Sequence, residues 1–598
     1  MYTNSSQDRN SNNISRNENT KPIGRPSIGK PTQKRKIYDL RNTPKDTLVS
    51  FSLGGQEEVG INMVGYKYND DIIFIDMGLE FPDEEMLGVD YIIPDITPLR
   101  GLEKNIKGIY ITHGHYDHIG AIPHLIDKLG NPKIYGLKLT IGMIKKRQEE
   151  FRVRSKPNFI EVGIDDTLKL GAFTLNFIRA SHNIPDSSMV IISSPVGKVI
   201  HTGDYKFDMT PVDFNETEIH KIAALHNQNV LALYADSTNA DQPGHQISEL
   251  KVEKSIRELF TQAEGRIIIG TFASLLSRIQ QIIKVSEDLG KKVVIDGRSM
   301  KNNVAIAHEL GYLKYKRGTI IEYKDMGRYP DNKIVVACTG AQGEDRAVLM
   351  RIANNEHRQI RIQKGDTVVF SSSVIPGNER SVQKLRDSLY KHHANVINYT
   401  MMDIHAGGHA KQEDIKLLIK LVNPKFYIPI YGTHTHIRMN AEVAEETGIP
   451  KENIFTPFNG QLLEFNGKRE CKTAEDTMHL NNILVDGLGI GDVSGIVLRD
   501  RKQMSEHGMI VIISSINMKT GELIGNPDII SRGFIYMNAN KKLVEDIRLK
   551  VKETLKDSDP LTPANQTYIK DKVREDITKF IYKRTHRSPM VLPVILLV

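Results

Sequence analysis

Thr112-His113-Gly114-His115-Tyr116-Asp117-His118 is the most informative stretch of the chain. It follows an apolar run, Gly108–Ile111, that reads as a strand. His113 and His115 stand two apart at the end of that strand, so both imidazoles face one side. Asp117 and His118 follow where a helix can begin, over Ile119–Ile126. Three imidazoles and a carboxylate within six residues can serve two adjacent metal ions. Imidazole is a standard zinc ligand, and carboxylate suits zinc, manganese or magnesium. With only 20 histidines in 598 residues, a chance cluster of three is a poor explanation.

Outward from this stretch, short apolar strands that end in His or Asp recur. Leu48–Leu53, Asp71–Gly78, Phe173–Ala180 and Met189–Thr202 belong to residues 48–247. In layered α/β proteins, catalytic groups collect at strand ends. From Ser248 the pattern changes. Helical stretches (Glu249–Gln262, Leu276–Leu289, Asn303–Gly311) alternate with buried strands (Arg266–Gly270, Lys292–Asp296, Lys333–Ala337, Thr367–Ser371). That alternation predicts an inserted parallel α/β domain over 248–395. The earlier style returns over 396–460, in Met402–His405 and Lys425–Ile430. Residues 461–480 are mostly polar and read as a linker. A last α+β unit spans 481–598, with strands Met509–Ser514 and Gly533–Met537 and a charged helix Lys541–Lys556. Its tail, Met590–Val598, is too short to span a bilayer and carries Pro593, which predicts a buried or edge strand.

Hydrophobic content of 39% and charged content of 26% are ordinary for a water-soluble globular protein, and no apolar run approaches the ~20 residues of a membrane span. The two cysteines, Cys338 and Cys471, are far apart, which excludes a disulfide framework and a thiolate zinc site. A cytoplasmic protein without a membrane partner is expected, its metal held by His and carboxylate. The net charge of +7 is uneven. Residues 1–47 carry ten basic and four acidic residues, a net of +6. That segment is rich in Asn, Ser and Pro and predicts a disordered basic arm. Such an arm either attracts phosphate backbones in a salt-sensitive way or is a solubilising tail.

The His-x-His-x-Asp-His pattern after a strand resembles the hallmark of the metallo-β-lactamase fold. The rest of that pattern is present in order: Asp76 resembles its first motif, His182 its third ligand motif and Asp204 its bridging fourth. Further on, Asp236–Asn239 resembles the first motif of the β-CASP branch, whose members act on nucleic acids. The segments Thr271–Ser274, Gly297–Met300, Thr339–Glu344, Ser371–Glu379 and His405–His409 together resemble bacterial ribonuclease J. So do Asp486–Asp492, Leu498–Arg501 and Pro527–Phe534 in the last unit. The resemblance covers residues 48–598.

It implies an αββα metallo-β-lactamase sandwich split by a β-CASP insertion, with a small α+β C-terminal domain. It also implies cleavage of RNA, internally and processively from a 5′-monophosphorylated single-stranded end, in RNA maturation and decay. Two Zn²⁺ ions are implied, with Mn²⁺ or Mg²⁺ as alternatives, and a homodimer or homotetramer. By the same resemblance His113, His115 and His182 hold one metal, Asp117 and His118 the other, and Asp204 bridges. Catalysis falls to His409, Asp236 and Asp117, with His409 acting on the leaving oxygen and Asp236 orienting it or a nearby ligand. Phe272, Ala273 and Ser274 contact nucleotide, although Phe272 also reads as a core aromatic. His405, Ala406, Gly407, Gly408 and His409 form a phosphate-facing loop, where glycines let backbone N–H groups approach.

Two positions depart from the family pattern. Tyr431 stands where the family has a histidine ligand of the second metal, and Gly407 stands where it has serine. Three readings of Tyr431 stay open. The second metal is held by fewer protein ligands plus water, or His434 or His436 substitutes, or the second site is mostly empty. Unequal occupancy of the two metals is expected. The competing function is a weakly active, RNA-binding paralogue that serves as a structural subunit of a ribonuclease J complex. A small-molecule hydrolase fits the first four motifs but not the β-CASP segments or the last unit.

Overall fold

The computed structural model describes residues 37–598 except 84, 152–156, 213–215, 345, 376–377, 488, 492–494, 536 and 557–562. Two sheets stack face to face. One has eight strands, in the order Cys471–Thr473, Leu462–Phe465, Leu48–Gly54, Met63–Tyr68, Asp71–Ile75, Ile106–Ile111, Ile134–Gly136, Phe159–Glu161. The other has six, in the order Phe426–Ile430, Ala232–Asp236, Lys198–His201, Ser188–Ser193, Phe173–Arg179, Leu168–Leu170. Because side chains alternate across a strand, each strand feeds two cores. Ile73, Ile75, Tyr110, Phe177, Val190, Tyr234 and Ile428 fill the space between the sheets. Their neighbours Ile72, Phe74, Ile109 and Ile111 face outward onto Ile119, Ile122 and Leu125. On the far side Ile200, Leu233 and Tyr427 pack on Ile415, Leu418 and Val443. The result is the αββα sandwich implied by the motifs.

The insertion is a five-stranded parallel sheet, in the order Lys292–Asp296, Ile334–Cys338, Ile267–Gly270, Thr367–Phe370, Asn395–Asn398. Helices Glu249–Gln262, Leu276–Asp288 and Arg298–Glu309 cover one face, and Val348–Ala353 and Glu379–Lys391 the other. All five carboxyl ends point the same way, where ligands of open parallel sheets bind. The last unit has a three-stranded sheet, Asp528–Arg532, Met509–Ile516 and Met590–Leu597, backed by helices Lys541–Lys556 and Pro563–Thr585. Pro593 lies on the outer strand, where its missing N–H costs least.

Several boundaries expected from sequence are corrected. Residues 461–480 are not a linker: Leu462–Phe465 pairs with Leu48–Phe51, and Cys471–Thr473 pairs beside it. The apolar Leu462, Leu463 and Phe465 are buried, and the polar residues around them conceal the strand. The unit expected from 481 begins by adding Ile483–Asp486 to Tyr91–Ile93 of the first domain. The inserted sheet runs to Asn398, past the expected limit of 395. The strand expected at Gly533–Met537 lies instead at Asp528–Arg532, where alternate residues are buried. Order begins before 47, since Leu40 is buried and Tyr38 N–H bonds the Thr477 carbonyl. The rest of the expected basic arm, residues 1–36, lies outside the described residues.

Candidate metal centre

Chain path alone brings the site together. Ile106–Ile111 delivers Thr112, His113 and His115, and the short helix Tyr116–Ile119 carries Asp117 and His118. His182 follows Phe173–Arg179, Asp204 follows Lys198–His201, and Asp236 closes its own strand. His409 arrives from the loop between Asn395–Asn398 and helix Gln412–Val422.

The ligating atoms converge in two groups that share Asp204. His115 Nδ1 lies 3.1 Å from His113 Nε2 and 3.1 Å from His182 Nε2. Asp204 Oδ2 is 3.6 Å from both of those Nε2 atoms. Its other oxygen, Oδ1, is 3.3 Å from His118 Nε2, which is also 3.2 Å from Asp117 Oδ2. One carboxylate thus turns one oxygen to each group. Asp204, Asp236 and His409 form a third potential ligand group.

Three of the rings are held by the outer nitrogen, which turns the inner one to the ligand groups. His182 Nδ1 donates to the Gly408 carbonyl at 2.7 Å, and His118 Nδ1 donates to Asp76 Oδ2 at 2.7 Å. His113 Nδ1 pairs with Thr112 Oγ1 at 3.1 Å. Burial first, and then the neighbouring rings, hold His113 and His182 well below the ordinary imidazole range. Burial opposes protonation of His118, but Asp204, Asp117 and Asp76 outweigh it and lift it well above that range. Imidazoles and carboxylates converging in a buried space are a donor set that fits divalent cations.

His409 Nδ1 bonds Asp236 Oδ2 at 2.8 Å and lies 3.9 Å from Asp204 Oδ2. Burial disfavours its charge, but Asp236 and then Asp204 raise it to about 9. Two amides hold its carbonyl, Asn239 Nδ2 at 3.3 Å and Gln246 Nε2 at 3.1 Å. Gly407 explains how Gln246 reaches in. A Cβ at 407 would stand 2.5 Å from Gln246 Nε2, so the serine-to-glycine departure frees the space that this amide fills. At Gly408 a Cβ would stand 2.4 Å from His182 Cε1, so the loop backbone lies directly on a ligand.

Tyr431 is buried on the wall of the Asp117–His118 group, its ring edge-on to His118 at 5.4 Å. Its hydroxyl turns away from the ligating atoms. It donates to Asp76 Oδ2 at 3.2 Å and accepts from His201 Nε2 at 2.7 Å. His201 Nδ1 in turn takes the Tyr66 hydroxyl at 3.0 Å. Neither alternative histidine reaches in. His434 is exposed and pairs with Glu57 at 3.0 Å, and His436 caps its own helix. His405 is half-buried with Nδ1 unpartnered, and Ala406 is buried beside it. Phe272, Ala273 and Ser274 are half-buried at the end of the central inserted strand. Their backbone bonds go to Leu275, Asn303 and Leu276, not to the cluster. Ser371 is committed internally, donating to the Ile404 carbonyl and accepting from Arg278.

Sequence reading assigned no role to Asn62, Tyr66, His201, Asn239, Gln246 or Arg278. His201 stands three residues before Asp204, in His201-Thr202-Gly203-Asp204. Asn239 closes the Asp236–Asn239 segment, and the other four carry no motif that marks them.

The chain matches known proteins along nearly its whole length. The metallo-β-lactamase superfamily profile matches residues 66–260, the ribonuclease J β-CASP domain 264–389, and the ribonuclease J C-terminal domain 496–598. Ribonuclease J of Thermus thermophilus is 38% identical over 568 residues, covering 92% of this chain and 96% of that protein. This chain belongs to the ribonuclease J family. Ribonuclease J 1 of Streptococcus pyogenes is 37% identical over 548 residues (91% and 97%), and ribonuclease J2 of Bacillus subtilis 34% over 556 (93% and 99%). A crystal structure of an Enterococcus faecalis protein of unknown function shares the fold, with a TM-score of 0.53 at 16% identity, covering 70% of this chain and all of that one. The first domain supplies the two ligand groups, and the return from the insertion brings His409 within 3.9 Å of the Asp204 that they share.

Proposed function

We propose that this metal-dependent ribonuclease of the ribonuclease J type degrades single-stranded RNA from a 5′-monophosphorylated end and also cuts internally. It acts in RNA maturation and decay, in the cytoplasm, as a homodimer or homotetramer. The observation that carries the reading is Asp204, with one oxygen facing His113 and His182 and the other facing His118. His113, His115 and His182 would hold one cation and Asp117 and His118 the other. Zinc is the first candidate, and manganese or magnesium also suit the donors. Bound there, two cations would supply the positive charge that acidifies an attacking water and neutralises the phosphate.

The chain's own residues do the rest. Asp236 accepts from His409 Nδ1 and so orients the ring to give a proton to the leaving oxygen. Asn239 and Gln246 fix the loop that carries it. Gly407 leaves room for the Gln246 amide, and Gly408 lets the loop backbone lie against His182. The carboxyl ends of the inserted sheet, with Phe272–Ser274 and His405, wall the RNA path.

The test is product analysis on one labelled RNA carrying either a 5′ monophosphate or a 5′ triphosphate, with Zn²⁺ or Mn²⁺. Mononucleotides from the monophosphate form, together with internal fragments from both, are expected. Intact RNA that still binds the protein would point to the non-cutting subunit instead.

A further inference from the structure

Asn62 stands against the Asp117–His118 half of the metal centre, and nothing in the ligand motifs includes it. Its backbone is tied to that half on both sides. Its N–H bonds the Asp117 carbonyl at 3.2 Å, and its carbonyl accepts from Gly78 N–H at 3.0 Å. Its side-chain amide lies 3.0 Å from His118 Nε2 and 3.3 Å from Asp117 Oδ2. These are the two atoms that, with Asp204 Oδ1, make up the second ligand group. The residue is 2% exposed, and its Oδ1 is buried with no hydrogen-bond partner. A buried amide oxygen left unpaired is destabilising, so its retention calls for an explanation.

The local backbone is held in an unfavourable form to put it there. Ile61, a β-branched residue, has φ +53°, and Gly60 before it has φ +127°. Gly55 makes the room: a Cβ at that position would stand 2.6 Å from Asn62 Oδ1. Strain of this kind persists where the surrounding structure over-determines it, and it gathers at functional sites.

We infer that Asn62 is a protein ligand of the second metal, through its side-chain carbonyl oxygen. The inference rests on the metal-dependent reading above. An amide can present nitrogen or oxygen to the same point by half a turn of its planar group. With no cation, Asp117 Oδ2 offers lone pairs, and the amide N–H groups answer them. A cation takes up those lone pairs and repels an N–H, so the oxygen turns inward. The second group then counts Asp117, His118, Asp204 and Asn62, while Tyr431 stays turned to Asp76 and His201. A neutral amide is a weaker donor than the imidazole it complements, so the second ion is held less tightly than the first.

Metal-free full-length protein titrated with Mn²⁺ or Co²⁺ tests this, with stoichiometry by elemental analysis and the Co²⁺ absorption bands as readout. Wild type should bind two ions, one tight and one weaker. Asn62→Ala should weaken the second at least tenfold and leave the first within twofold. Asn62→Asp, nearly isosteric and anionic, should tighten the second and shift the Co²⁺ bands of that ion alone. It also carries the test if Asn62→Ala does not fold. An unchanged second affinity in Asn62→Asp, or in a folded Asn62→Ala, would overturn the assignment while leaving the ribonuclease reading intact. Wild-type protein that binds one ion only would overturn it as well. Wild-type protein that binds no ion would overturn both.

Discussion

His409 has one partner that matters for its chemistry. Asp236 accepts from its Nδ1, which leaves Nε2 free to face substrate. Replacing His409 with alanine should lower kcat by about 10²–10⁴-fold with little change in KM, as expected for a lost proton donor. Steady-state kinetics on a short 5′-monophosphorylated RNA would show it, and a change confined to KM would contradict it. Tyr431 acts at one remove. Its hydroxyl holds Asp76, and Asp76 holds His118. Tyr431→Phe should therefore weaken the second ion about 10–100-fold and spare the first, as loss of a partner behind a ligand does. Equal weakening of both ions would mean a general loss of fold. Legibility in the sequence follows the same distinction. His113, His115, Asp117 and His118 are adjacent along the chain, so their common purpose shows in six residues. Asn62, Tyr66 and His201 acquire theirs only when separate strands pack, and Tyr431 reads as a gap in a pattern until its hydroxyl partners are visible.

Two helices of the inserted domain are joined to the first domain by a buried charge network. Arg278, fully buried, donates to Glu249 at 2.9 Å, to Ser371 at 2.6 Å and to the Ile404 carbonyl next to the His405–His409 loop. Lys206, two residues after Asp204, reaches the other Glu249 oxygen at 2.9 Å. Breaking such a network from one side is costly, because its remaining charges stay buried. Arg278→Met should destabilise the fold by about 3–5 kcal/mol in urea unfolding. A loss below 1 kcal/mol would show the network to be dispensable. Burial favours the neutral form of Glu249, but Lys206 and Arg278 outweigh it and bring it down to about 2, from an ordinary 4.5. A lowered carboxylate stabilises the fold above its unfolded value, and that stability is lost as pH falls. The urea midpoint should drop between pH 4.5 and pH 2, and Glu249→Gln should flatten that part of the profile. None of this was legible. Arg278 reads as one more charged residue on an amphipathic helix, whereas the helix itself and the strands around it were plain from their periodicity.

Across the whole molecule, the sandwich and the last domain follow from the family resemblance, and the parallel insertion follows from βαβ spacing. The joins do not. Leu462–Phe465 and Ile483–Asp486 are short apolar runs in polar surroundings, and only pairing with distant strands makes them sheet. In helix Pro563–Thr585, Ile569, Val573, Ile577 and Ile581 recur at a helical interval and are buried, a spacing thinned by the charged residues between them. Charge is a property of the whole chain too. Residues 1–36 hold eight basic and two acidic residues, a net of +6 of the total +7. Deleting them should weaken RNA binding and flatten its dependence on salt, while thermal unfolding stays unchanged. An unaltered salt slope would remove any role for that segment.

The most direct measurement of the central claim is cleavage of 5′-monophosphorylated RNA by protein stripped of metal and then resupplied. Stripped protein should be inert, and Zn²⁺ or Mn²⁺ should restore mononucleotide release in wild type but not in His115→Ala. Cleavage by the stripped protein, or full restoration in His115→Ala, would contradict a reaction built on the His113–His118 cluster.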